Sequence, residues 1–344
     1  MKIAYVAPME AGKNSHPPVR QRAAALARIG HEIASIDPWS WVAKGEFGRK
    51  WLYHAGGLGF SSLIGNRLFS EVAASKPDLI FVNQGEFLSR RAIINLRNLA
   101  VPIVVYLNDD PFNGRDGNRF INLLKALPYY DLVVVVREPN LEEARRAGAR
   151  RVIRVWMSAD EVAHAAHPVT ELERRAFRSD VALIGIWMPE RGALVYDLME
   201  RGIPISIWGD RWERDDNWKK IKAAWRGPKL HDAMQYRAAV LSSKVCLGVL
   251  SKGNRDQHTT RSIEIPLIGG LLCAERTPEH QQMYVEMTEA FFWSNSAECA
   301  KICRMILDND ELRQRVALNG HFRARQSPFL NEIVLGHILK QAVM

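Results

Sequence analysis

Between residues 252 and 264 the chain reads KGNRDQHTTRSIE, so that Lys252, Arg255 and Arg261 stand with the acids Asp256 and Glu264 and the hydroxyls of Thr259 and Thr260. The apolar segment IPLIGG that follows reads as a short helix closed by Gly269 and Gly270, which end helices and let backbones approach closely. A helix start already offers unpaired N–H groups and a partial positive charge. Bases and hydroxyls gathered at such a start make a seat for an anion. His258 lies in the same stretch and has no single reading from sequence.

These residues need elements to hold them. The opening KIAYVAP reads as a strand, followed by a loop rich in Gly, Asn and Ser and a helix begun by Pro17-Pro18. On that helix Val19, Ala23, Leu26, Ala27 and Gly30 recur with helical spacing, which predicts a small-residue face on a sheet with Arg20, Arg22 and Arg28 outward. HEIASID, PDLIFVN, VPIVVYLND and YYDLVVVV read as further strands. After the polar stretch HAAHPVTELERRAFRSD the pattern restarts with VALIGIW, IPISIWG, KVCLGVL and GLLCAE as strands and PERGALVYDLMERG as an amphipathic helix. Nearly continuous apolar strands alternating with helices predict parallel sheets covered on both faces. The expected fold is α/β, with two Rossmann-like domains facing across a cleft, over 1–165 and 166–325, and a terminal helix within 326–344 crossing back to the first domain. Ligands then belong at the C-terminal ends of strands.

Composition narrows the partners. The 344 residues include 47 Lys and Arg against 38 Asp and Glu, a net charge of +9, which favours an anionic partner. The basic residues fall in scattered helix-surface clusters (EEARRAGARR, ERRAF, WKKIK) without interleaved aromatics or a reader motif, which argues against nucleic acid. No apolar run approaches the ~18–20 residues of a membrane span, and the N-terminus lacks a signal-peptide pattern, so the chain reads as cytoplasmic. Cys246, Cys273, Cys299 and Cys303 show no CxxC and read as buried thiols. The segment FGRKWLYHAGGLGFSSLIGNRLF, residues 47–69, mixes bases and aromatics. It fits an acceptor patch, a peripheral contact with the inner membrane face, or an ordinary packed connection.

The motifs PDLIFVNQGEF, VVYLNDDPF, YYDLVVVV, RVIRVWMSAD, ALIGIWMPER, PISIWGDRW and, above all, RSIEIPLIGGLLCAERTPE resemble the CgeB-like, spore-maturation type branch of glycosyltransferases with the two-Rossmann B-type fold, related to the family-4 group. The resemblance implies a nucleoside-diphosphate sugar as co-substrate, no resident cofactor or metal, and a glycan, lipid, protein or small-molecule acceptor. Two acids separated by seven residues flank the donor in that superfamily, and Asp256 and Glu264 have this spacing. Asp256 would then lie toward the sugar or phosphate, and Glu264 would take the two hydroxyls of a ribose. Lys252, Arg255, Arg261, Thr259 and Thr260, with Arg191 after the first strand of the second half, would hold the diphosphate.

In the first half, Asp109 and Asp110 of NDDPF would orient the acceptor or touch the donor sugar. The competing readings are an Asp-Pro turn, or a metal pair like that of A-type glycosyltransferases, which the two-Rossmann layout argues against. The loop carrying Gly12, Asn14 and His16 would border the acceptor. Resemblance to the family-4 group implies retention of configuration, with the leaving diphosphate taking the acceptor proton. If the reaction inverts, Asp109 or Asp110 is the candidate base. A nucleotide-sugar epimerase of the same fold and a non-catalytic sugar-nucleotide or polyanion-binding protein are the alternatives.

Overall fold

The computed structural model describes residues 1–9, 17–42, 45–56, 61–230 and 232–344. The chain divides into two compact units. Unit 1 comprises Met1–Met157, Gly253–Arg255 and Asn331–Met344, and unit 2 comprises Ser158–Lys252 and Asp256–Leu330.

Each apolar run of the sequence becomes a buried strand. In unit 1, β1 (Lys2–Val6), β2 (Glu32–Ile36), β3 (Leu79–Asn83), β4 (Ile103–Leu107), β5 (Leu132–Val135) and β6 (Val152–Arg154) form one sheet in the order β2-β1-β3-β4-β5-β6. All its pairings are parallel. In unit 2, β7 (Ser179–Ile184), β8 (Ile205–Trp208), β9 (Trp225–Gly227), β10 (Ser243–Gly248), β11 (Leu272–Glu275) and β12 (Phe291–Trp293) pair in parallel as β12-β11-β10-β7-β8-β9. Every residue of β3 and β4 is buried, as expected of strands covered on both faces by crossover helices. These two Rossmann-like sheets are the fold read from the sequence.

The strand orders fix where ligands can enter. In unit 1 the chain passes from β1 to β2 on one side and then to β3 on the other. In unit 2 it passes from β7 through β8 to β9, then returns to place β10 beside β7. The crevices beyond the carboxyl ends of β1/β3 and of β7/β10 are therefore the topological switch points.

The helix Arg261–Ile268 carries much of the sequence motif. Gly269 ends it in the left-handed region, at φ +104°, and donates to the carbonyls of Ile265 and Pro266. A Cβ on Gly270 would stand 2.4 Å from Val240 Cγ1, so a side chain there would drive the helix off its neighbour. Pro266 lacks the N–H that would bond the carbonyl of Ser262, and the Tyr284 hydroxyl donates to that carbonyl at 2.8 Å instead. The helix Asn331–Ala342 packs on the helix Pro17–Arg28 within unit 1, with Arg28 Nε 2.5 Å from Glu332 Oε1.

All four cysteines are free and buried. Among the described residues Cys273, Cys299 and Cys303 bring their sulfurs within 4.8 Å of one another. No described helix is long and apolar enough to cross a membrane.

Candidate functional site

At the β7/β10 switch point of unit 2 lies a cavity of about 340 Å³. Gly185 follows β7 and Gly209 follows β8, and the two strand ends meet closely, since a Cβ on Gly209 would fall 1.9 Å from the Gly185 carbonyl oxygen. A Cβ on Gly185 would in turn stand 2.8 Å from Arg191 Nη1. Glycine at both positions lets the Arg191 side chain lie against the strand ends.

Arg191 is held by backbone. Its Nη1 donates to the Ile186 carbonyl at 2.8 Å and its Nη2 to that of Val249 at 3.2 Å, while Nε is buried with no partner among the described residues. Among the described residues it makes no salt bridge. Burial lowers its pKa, and the charge of Arg261 lowers it further against Glu190, Asp256 and Glu275. A fixed, half-buried guanidinium without an ion-pair partner is an incomplete electrostatic arrangement that an anion completes.

The helix start at Thr260 and Arg261 forms another wall. Among the described residues the buried Thr259 hydroxyl has no partner, which leaves it for a ligand, and the Thr260 side chain makes no capping bond. Lys229 lines the same cavity, its pKa lowered by partial desolvation and then by Arg261. Arg261 lies over the Tyr236 ring, 4.2 Å from its centroid, and pairs with Glu264.

Glu264 is 3% exposed and does not line the cavity. The resemblance sets it on a ribose diol, but here it sits behind Arg261 and reaches the cavity through that residue. Its carboxyl is held low: burial raises the pKa, and the charge of Arg261, with its hydrogen bond to the carboxyl, outweighs this. His164, also buried, accepts the Asp160 N–H on Nδ1 at 3.1 Å, so the proton belongs on Nε2, which lies 3.6 Å from Glu264 Oε1. Nothing in HAAHP singled this histidine out, because Glu264, which its Nε2 faces, lies far along the chain.

A second buried network ties the motif loop down. His258 Nδ1 lies 2.5 Å from Glu279 Oε2, and Ser262 Oγ lies 2.7 Å from His280 Nε2. His280 Nδ1 lies 2.6 Å from the carbonyl of Glu275. Since that oxygen only accepts, Nδ1 carries the proton and Nε2 accepts from the Ser262 hydroxyl. The Lys252 ammonium, expected at the phosphates, pairs with Glu275 instead, whose other oxygen takes the Leu250 N–H. Asp256 follows on the same loop, its N–H bonded to the Ser251 carbonyl at 3.2 Å, and it contributes to the field at Arg191.

Arg255 departs from expectation. Its backbone is left-handed, φ +53°, and turns the side chain to residues of unit 1, Asp110 and Glu143. It is not among the residues lining the unit 2 cavity. Asp110 is only 2% exposed, and both its oxygens are occupied. Asp109 is the more open of the pair: its side chain is 28% exposed and 3.1 Å from Arg119.

Asp109 also lines a second cavity, of about 280 Å³, at the β1/β3 switch point of unit 1. Arg22 lines it too, against the expectation that this residue faces outward. It is 2% exposed and bridges Asn83 at 2.9 Å and Asn108 at 3.0 Å, with its guanidinium 4.5 Å from the Tyr106 ring centroid. Gly12, Asn14 and His16 lie outside the described residues, as does part of the 47–69 segment, in which Trp51 and Tyr53 are exposed.

Residues 191–334 match the glycosyl transferase-like family model. The glycosyl transferase-like segment thus begins at Arg191, includes the helix Arg261–Ile268, and leaves His164 and unit 1's strands outside it. The class of enzyme expected from the sequence, a glycosyltransferase, is the one this match gives.

Solved structures similar over nearly all of the chain include Anabaena HepE (Alr3699) in complex with UDP and glucose, at TM-score 0.67 and 15% identity over 99% of both chains. Sucrose-phosphate synthase from Thermosynechococcus elongatus matches at TM-score 0.66 and 13% identity over 99% of this chain and 98% of that one. A putative UDP-N-acetylglucosamine 2-epimerase from Listeria monocytogenes matches at TM-score 0.63 and 12% identity over 98% and 94%. At these identities the likeness is one of fold, the two-domain B-type glycosyltransferase fold. None of the curated proteins matches the sequence.

Proposed function

We propose that this chain is a cytoplasmic glycosyltransferase of the CgeB-like branch, in which unit 2 binds a nucleoside-diphosphate sugar and unit 1 the acceptor. The observation that carries the reading is Arg191, a guanidinium fixed by two carbonyls at the β7/β10 switch point, with no ion-pair partner among the described residues and with Arg261, Thr259 and Thr260 beside it. When the sugar–phosphate bond breaks, negative charge collects on the leaving diphosphate. Cations and N–H groups already in place stabilise that charge without reorganising. The match at residues 191–334 and the UDP bound by the HepE structure support the same assignment.

The diphosphate is met by protein cations, so metal is not needed to hold it. Transfer goes with retention, the leaving diphosphate taking the proton of the attacking hydroxyl. Asp109, open to the unit 1 cavity, orients that hydroxyl. The test is titration of UDP into the protein with and without chelator, followed by incubation with UDP-sugars and an acceptor panel. Binding that survives chelation, with acceptor-dependent release of UDP, supports the reading. Conversion of the donor with no acceptor present would make the protein an epimerase, and binding lost on chelation and restored by manganese would overturn the metal-free account.

A further inference from the structure

We propose that the unit 1 cavity recognises a neutral polyhydroxylated group, a sugar ring or polyol with adjacent hydroxyls, and that Gln84 and Glu86 select it. This names the acceptor class for the glycosyl transfer above and rests on that reading.

Gln84 follows β3 and is 6% exposed, with a left-handed backbone, φ +74°, that is costly outside glycine. The conformation is held from several directions. Its N–H donates to the Tyr106 carbonyl at 2.9 Å, and its Oε1 accepts the backbone N–H groups of Asn108 at 2.9 Å and Asp109 at 3.2 Å. Two backbone donors on one end of the amide settle which end is oxygen. The NH2 end therefore has a fixed direction, and Nε2 is buried with no partner among the described residues. Glu86, two residues on, receives Trp39 Nε1 on Oε1 at 3.4 Å, with Arg119 Nη2 3.6 Å from the same oxygen. Its Oε2 is likewise buried with no partner among the described residues.

The residue that carries the unmet donor and the residue that carries the unmet acceptor thus line one cavity. A hydroxyl group both donates and accepts, so a pair of hydroxyls satisfies both. An anion would meet the amide and be repelled by Glu86, a cation would meet only Glu86, and a hydrocarbon chain would leave both unsatisfied.

The charges agree. Among the described residues the cations lining the cavity are Arg22 and Arg119, and the anions are Glu86 and Asp109. Arg22 is committed to Asn83 and Asn108, and Arg119 to Asp109 and Asp116, each at 3.1 Å. Among the described residues that line the cavity, no cation is left over for a phosphate, in contrast to Arg191 in unit 2. At about 280 Å³ the cavity lies at the small end for ligand sites, suited to one ring.

The test uses the full chain and saturation-transfer NMR, with free neutral hexoses and a linear polyol at millimolar concentration, against inorganic phosphate, a hexose phosphate and a short-chain detergent. UDP affinity is measured on the same samples by calorimetry. Gln84→Glu keeps the oxygen that holds Asn108 and Asp109 while removing the unmet donor, and Glu86→Gln removes the unmet acceptor's charge. The expected result is transfer to a neutral sugar or polyol, weakened about tenfold or more in each variant, with UDP affinity unchanged. Binding of none of the neutral probes, or equal binding by both variants, overturns the inference, as does preference for the detergent or the hexose phosphate. If UDP fails to bind while a neutral sugar still binds through Gln84 and Glu86, the transfer reading falls and the sugar site stands.

Discussion

Arg255 donates from Nε to Oδ2 of Asp110 at 2.6 Å, and its two η nitrogens complete a fork on Glu143 at 2.9 and 2.8 Å. The other oxygen of Asp110 accepts the Phe112 N–H and the Asn140 amide, each at 3.0 Å. A carboxylate that accepts three hydrogen bonds and is wholly buried is not presented to a substrate, and it ties the NDDPF loop to Arg255. Removing one partner of a buried ion pair costs about 3–5 kcal/mol. Arg255 is 35% exposed, so solvent screens part of the loss, and about 2 kcal/mol is the fitting scale for Asp110→Ala. In a unit of this size that lowers Tm by roughly 4–8 °C. Asp109→Asn should leave Tm nearly unchanged and lower turnover. Thermal melts of the two variants beside their turnover separate the roles, and an unaltered melt for Asp110→Ala contradicts this account.

The sheets were legible because a strand buried on both faces needs an unbroken apolar run, and β3, β4 and β5 provide one. β6, β9 and β12 gave no such signal. Each is three residues long and lies at the edge of its sheet, where one side needs no partner strand and the pattern is too short to show. In the site, Thr259, Thr260 and Arg261 were readable because a helix start gathers sequence neighbours. His164, Gln84 and Glu86 were not, since their meaning depends on partners brought together by the fold. Arg22 was misread from helical spacing alone: it is buried because Asn83, Asn108 and the Tyr106 face satisfy its charge. Arg255 was diverted by one left-handed residue, which no composition rule marks.

Arg191 offers a sharper test of donor binding than charge removal. Lysine keeps the charge but cannot bond the Ile186 and Val249 carbonyls and a phosphate from one planar fork. Arg191→Lys should weaken UDP binding by about 1.5–3 kcal/mol, roughly tenfold to a hundredfold or more in Kd. It should weaken uridine binding little, since uridine lacks the phosphates. Calorimetry on both ligands checks this, and equal losses for the two would move Arg191 away from the diphosphate.

His280 predicts how stability depends on pH. It is fully buried, and burial, the largest influence, lowers its pKa from the ordinary 6.5 to about 4, against the raising effect of the Glu275 carbonyl. The unfolded chain therefore takes up a proton near pH 6.5, while the folded chain resists until near pH 4. The sign follows: this contribution costs nothing above 6.5, and stability falls as the pH drops from 6.5 toward 4, by about 2 kcal/mol near pH 5. Protonation would also put a second N–H where the Ser262 hydroxyl now donates, at the start of the helix that carries Arg261 and Glu264. Urea denaturation at a series of pH values should show the decline in the wild type and a shallower slope in His280→Asn, whose amide can still donate to Glu275. The comparison is of slopes, so a uniform loss of stability in the variant does not obscure it. Parallel slopes for the two proteins would mean that His280 does not stay neutral in the fold and that the acid sensitivity arises elsewhere.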